Sequence, residues 1–213
     1  MYEVQETVRQ IAILALPILL AVTFHEVAHG YVADRLGDPT PRLAGRLTLN
    51  PLVHLDVAGT LVFVLTRMIG WAKPVPVNAA NFADPRRGML WVGLAGPAAN
   101  LVLAVVLAAL FHALSALPVT ADSWFGSRVL GPLLLMTEAG VLVNLGLGLF
   151  NLVPIPPLDG SRVLAGLLPV AGARVLAVGE RYGFLLLLLL VFSGALRWTV
   201  YPPLRAAAHL LLG

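Results

Sequence analysis

Between Ile11 and Phe24 the chain carries no charged residue, and apolar stretches with few charges recur at Gly88–Leu117, Val129–Val153 and Val175–Leu196. A helix needs about 20 mostly apolar residues to cross a bilayer core. The first stretch reads as helical from Val8 to Val32, which is 25 residues. Runs of this kind leave few architectures open, because a lipid-exposed backbone must satisfy its own hydrogen bonds. Composition agrees: 59% of the 213 residues are hydrophobic and 12% are charged, with a mean hydropathy of +0.88. An ordinary soluble domain has about 25% charged residues, so the bilayer is the expected solvent. The expected fold is an all-α polytopic membrane protein. It has about four full transmembrane helices, one or two partial or re-entrant segments, and short extended loops. Residues 1–213 are expected to form a single integral-membrane domain, the length leaving no room for an appended soluble domain, and no internal repeat is apparent.

A signal peptide competes for the first run. It is disfavoured because no small-residue cleavage site follows and the run ends in His25-Glu26. Residues 34–50 are rich in Asp, Pro, Gly and Arg and belong outside lipid; Arg42–Leu49 alternates crudely and reads as a short strand. Ala58–Ile69 is apolar but too short to cross, which suggests a re-entrant or interfacial segment. Residues 71–87 form a Pro- and Asn-rich loop with extended character. A Pro-rich turn after Asn151 is expected to lead into a short helix ending near Leu168. The placement of 197–213 stays open.

The chain has no cysteine, which removes disulfides, thiolate metal sites and a Cys nucleophile. The pI near 9.8 comes from scattered arginines, not from a basic stripe interleaved with aromatics, so nucleic acid is not an expected partner. If Ala58–Ile69 does not cross, Arg35, Arg42, Arg46, Arg67, Lys73, Arg86, Arg87, Arg162 and Arg174 share one side. Arg9, Arg128, Arg197 and Arg205 share the other. The positive-inside rule makes the crowded side cytoplasmic, and His25, His29 and Asp159 all approach it.

His25-Glu-Val-Ala-His29 lies on the first of these helices. Residues four apart sit one turn above each other, so both imidazoles can reach one ion. Catalytic zinc usually takes three protein ligands and keeps a fourth position open. Glu26 is placed to act as general base toward the attacking water. Glu26 lies nine residues before Arg35, roughly 13 Å along a helix. Ionisable groups at that depth are costly and face a cavity or a partner. For a third ligand the best candidate is Asp159, in Asn151-Leu-Val-Pro-Ile-Pro-Pro-Leu-Asp-Gly160. Prolines there break the helix at the membrane boundary, where irregular backbone is tolerated only against protein or a cavity.

With these motifs the sequence resembles the site-2 protease family of intramembrane zinc metalloproteases. Gly96-Pro-Ala-Ala-Asn100 is similar to the family's G-P-x-x-N motif. Arg46–His54 and Trp71–Asn78 resemble its compact bacterial branch, which lacks PDZ and CBS domains. That branch carries Pro after His-x-Asp where this chain has Val57, a departure that bears on the surroundings of His54 and not on the metal. The resemblance implies one Zn2+ per chain held by His25, His29 and Asp159, with Glu26 as catalytic base and acid. It also implies hydrolysis of a peptide bond in or near a transmembrane helix of a single-pass membrane-protein substrate.

Asn151, near the same helix end as Asp159, is the first choice for a side-chain donor to the developing oxyanion. His54 reads as a substrate contact or as an ordinary interfacial histidine. Asn100 reads equally as a substrate contact and as an interhelical hydrogen bond. Glu138 is expected to be paired inside the bundle. Two other functions compete: a membrane metal transporter, and a catalytically inactive regulator that binds membrane helices. The transporter needs a polar path across the membrane, and the dead regulator is expected to have lost Glu26 or a ligand; both motifs are whole. The sequence leaves substrate identity, gating and oligomeric state open.

Overall fold

A computed structural model describes residues 2–66 and 70–213. Arg67 and the end of the 58–69 segment fall outside the described residues. The described chain is helical, and three helices in it are long and apolar enough to cross a membrane. They are α1 (Tyr2–Arg35), α4 (Pro85–Ser115), and α5 (Gly131–Asn151) extended by a π-helical turn over Gly126–Leu130. Between α1 and α4 lie a single turn, α2 (Thr40–Leu43), and a ten-residue helix, α3 (Val57–Thr66). After α5 come α6 (Asp159–Leu167), α7 (Val170–Phe192), α8 (Ala195–Thr199) and α9 (Tyr201–Leu212).

The ends of the helices follow from local sequence. α1 stops at Gly37, whose φ of +105° suits a residue without Cβ, and the Asp38 N–H turns back to the Ala33 carbonyl. α4 starts on Asp84, which accepts from the Arg86 and Arg87 N–H groups, with Pro85 in the first turn where its missing N–H costs nothing. α6 ends before Pro169, which cannot continue it.

The extended element expected at Arg42–Leu49 does not form. Pro39 and Pro41 favour the first turn of a helix, and Gly45 at φ +66° then reverses the chain. Among the described residues there is no strand, only an antiparallel bridge between Leu55 and Ala72. At 1.5 Å per residue the described part of α3 is about 15 Å long, half a bilayer core. Within α7, Arg181–Phe192 is a shorter apolar stretch. The tail left open by the sequence packs as α9: Leu204, Ala207, Ala208 and Leu211 lie against a core of Ala104, Ala108, Val141 and Leu145.

α1, α4 and α5 pack against one another, and α6 lies across α4. Small residues at the contacts let the backbones approach. A Cβ on Gly148 would meet the Pro97 carbonyl at 3.2 Å, and one on Gly93 would meet the Asp159 carbonyl at 3.0 Å. α5 buries Thr137, Gly140, Val141, Asn144, Leu145 and Gly148, a face with helical spacing. Glu138 falls off that face. It is exposed, with no ion pair or hydrogen bond among the described residues, which corrects the expectation of a partner inside the bundle.

Candidate metal centre

The C-terminal part of α1, the N-terminal half of α4, the end of α5 and the start of α6 meet at one end of the bundle. His25 and His29 project from α1 onto α4, and both are buried. The His29 Nδ1 lies 2.6 Å from the Val92 carbonyl oxygen, which can only accept, so Nδ1 carries the proton. Asn100 donates its amide to the Ala21 carbonyl at 3.0 Å and to Asn144 Oδ1 at 2.8 Å. That orientation turns Asn100 Oδ1 toward His25, and His25 Nδ1 donates to it at 2.6 Å. Asn144 is fixed in turn by donating to the Gly140 carbonyl.

With both Nδ1 atoms protonated, each Nε2 presents a lone pair. The two Nε2 atoms lie 3.0 Å apart. Asp159 Oδ2 completes the triangle at 3.1 Å from His25 and 3.2 Å from His29. Oδ2 is buried and has no hydrogen-bond donor. Three electron pairs converging at such range repel unless a cation sits among them. Tetrahedral ligands at about 2.0–2.1 Å from zinc stand about 3.3 Å from one another, so the triangle suits that ion with a small expansion. Two imidazoles and a carboxylate are also a donor set that zinc accepts. The outer contacts have the usual form for a metal site, with each ligand's far atom hydrogen-bonded. Asp159 Oδ1 receives Arg162 Nη1 at 3.3 Å.

Space for the triangle depends on two glycines. A Cβ on Gly96 would stand 2.4 Å from His29 Nε2 and 2.6 Å from His25 Cε1. A Cβ on Gly160 would stand 2.2 Å from the Leu152 carbonyl, so the residue after Asp159 must be glycine for α6 to begin there.

The model of peptidase family M50 matches residues 13–190 of this chain. The chain belongs to peptidase family M50, the site-2 protease family. It is 37% identical over 207 residues to "Putative zinc metalloprotease YwhC" of Bacillus subtilis, covering 93% of this chain and 89% of that one. It is 36% identical over 185 residues to "Putative zinc metalloprotease Rip2" of Mycolicibacterium smegmatis, covering 84% of this chain and 67% of that one. "Zinc metalloprotease MJ0392" of Methanocaldococcus jannaschii is 26% identical over 174 residues, covering 82% of this chain and 37% of that one. No solved structure is matched. This M50 peptidase is a zinc metalloprotease of the membrane, and its substrates are proteins.

The other expected site residues are placed as follows. Glu26 is half-buried beside the triangle, and its Oε2 accepts the Val75 N–H at 2.9 Å. Val75 belongs to an extended strap, residues 73–78, within the loop of extended character expected at 71–87. The strap is tied at Lys73, whose N–H donates to the His54 carbonyl, and at Asn78, whose N–H donates to Asp38 Oδ2 at 2.7 Å. Asp38 is fully buried and also accepts from Thr40 and Asn81. Pro74 and Pro76 leave Val75 as the donor between them. Asn151 ends α5 and gives one amide N–H to the Leu147 carbonyl, keeping a second. His54 is fully buried with Nε2 at 2.9 Å from the Thr48 carbonyl. Asn100 is fully buried behind His25, and its amide is committed to protein partners.

Proposed function

We propose that this zinc metalloprotease cleaves a peptide bond in or beside the transmembrane helix of a single-pass membrane protein. The observation that carries the reading is the buried triangle of His25, His29 and Asp159 among helices long enough to cross a bilayer. In this reading residues 1–213 act as one catalytic membrane domain. α7 is the fourth crossing and α3 the partial segment, in the cell membrane, with the metal near the cytoplasmic face where most arginines gather.

His25, His29 and Asp159 hold the ion. Zinc, when bound, lowers the pKa of water and polarises the scissile carbonyl. Glu26 takes the proton from the attacking water and later delivers it to the leaving nitrogen. The Val75 N–H holds one Glu26 oxygen and leaves the other for that proton. Asn151 turns its uncommitted N–H to the developing oxyanion. Asn100 orients His25, and His54 anchors the strap through its carbonyl; neither needs to touch substrate. An exposed peptide bond requires local unwinding of the substrate helix.

The test is mass spectrometry of a single-pass substrate reconstituted in lipid with wild type and Glu26→Gln. The variant keeps the side chain's shape but cannot accept the proton. Fragment release should fall by roughly 10²–10⁴-fold with zinc retained. Equal rates of the same fragments from both proteins would contradict the reading, and metal flux without fragments would favour a transporter.

A further inference from the structure

The loop between α1 and α4 holds a charge that the chain does not balance. Arg46 is only 5% exposed, and one terminal nitrogen donates to the Lys73 carbonyl. Its Nε is buried without a partner. Arg46 forms no ion pair among the described residues. An uncompensated buried cation is unfavourable, so an anion from outside the chain is called for.

Arg46 forms part of the wall of a cavity of about 480 Å3, with Lys73, Leu52, Val53, Pro74 and Pro76. No acidic residue lines it. The loop leaves α1 at Arg35 and enters α4 at Pro85, and α3 is too short to cross, so the cavity lies at one membrane surface. Leu43, Leu49 and Leu52 stand exposed on the same loop.

We propose that this cavity binds the phosphate of an anionic phospholipid. Arg46 offers a guanidinium suited to phosphate oxygens, Lys73 adds a second positive charge at the rim, and the leucines meet the acyl region. Soluble phosphate would find the same cations but gain nothing from the apolar rim. Alternate residues of an extended segment face opposite ways. The Val75 side chain turns to α1 at Gly30 while Pro74 and Pro76 wall the cavity, so a bound headgroup braces the strap from behind. The binding site stands whether or not Glu26 is the base.

The experiment is native mass spectrometry of the full-length zinc-loaded protein in detergent, titrated separately with phosphatidylglycerol, phosphatidylcholine and inorganic phosphate. One phosphatidylglycerol should bind preferentially. Arg46→Gln should weaken it roughly ten- to a hundredfold, the loss expected for a charge-assisted hydrogen bond. Lys73→Gln, an exposed change that spares the fold, should weaken it about fivefold. Arg46→Lys, which keeps the charge without the planar fork, should fall between them and serves if Arg46→Gln does not fold. Phosphatidylglycerol binding unchanged by Lys73→Gln and Arg46→Lys would overturn the proposal. Equal binding of phosphatidylcholine, or inorganic phosphate binding as tightly as the lipid, would overturn it too.

Discussion

The seam between α4 and α5 has small residues in both of its halves, yet the two halves do different things. Away from the metal, Ala104 and Ala108 meet Val141 and Leu145, and close approach yields only apolar packing. At the metal end the same two helices contribute Gly96, Asn100, Asn144 and Gly148. There, closeness makes room for two imidazoles and threads a chain of amides behind them. Alanine suffices where helices merely touch. Gly96 is required where α1 inserts its two imidazoles, and each buried amide there has its partners. The difference teaches that this bundle separates the packing that holds it together from the packing that assembles its chemistry.

The sharpest way to break that division is to add the same kind of bulk to each half. Gly96→Ala puts a methyl group 2.4 Å from His29 Nε2 and should abolish stoichiometric zinc by elemental analysis. Ala108→Val should cost about 1–3 kcal/mol of stability by overpacking and leave zinc bound. Equal zinc content in the two variants would erase the distinction. Next in size is Asn100→Leu, which fills the space but frees His25 Nδ1. Loss of such an outer contact lowers metal affinity by about 10–100-fold, measurable by competition with a chelator.

A smaller effect is expected at the strap, which touches the metal end only through Glu26. Val75→Pro deletes one N–H and should lower turnover by about tenfold or more, as the loss of a hydrogen bond to a charged group implies, without changing zinc content. Val75→Ala keeps the donor and should retain turnover. An equal loss in both would assign the effect to the Val75 side chain, and full turnover in both would take its N–H out of the mechanism.

The smallest effect is on the strap's far anchor. Burial pushes the Asp38 carboxyl upward, but hydrogen bonds from Thr40, Asn81 and the Asn78 N–H outweigh it and hold the group below its ordinary value. Folding thus favours the ionised form. The stabilisation is full above the unfolded value, near pH 4, and is lost as pH falls through the depressed folded value. Asp38→Asn should flatten that acid-side decline in thermal unfolding while zinc binding at neutral pH is unchanged.

Much of this was legible in the residues. Four-residue spacing on a helix puts His25 and His29 on one face whatever surrounds it, and the Pro-rich break before Asp159 announces a helix start at the membrane boundary. Gly96-Pro97 signals close approach, though not that its target is the imidazole pair. What stayed hidden depends on contacts across long sequence separations: Val75 meets Glu26 through a backbone N–H, which no side-chain pattern records, and Asp38 meets Asn78 only once the loop has closed. Glu138 was misread because depth along a helix does not fix the face. The spacing of Thr137, Val141, Asn144 and Gly148 already pointed the buried side away from it.

The central claim is that three lone pairs, from His25, His29 and Asp159, make the zinc site. Its most direct test is zinc stoichiometry in detergent-purified wild type, His25→Ala, His29→Ala and Asp159→Asn, with folding checked by thermal unfolding. About one zinc per wild-type chain is expected, with zinc lost from both histidine variants and much reduced in Asp159→Asn. Stoichiometric zinc in folded His25→Ala would contradict the account.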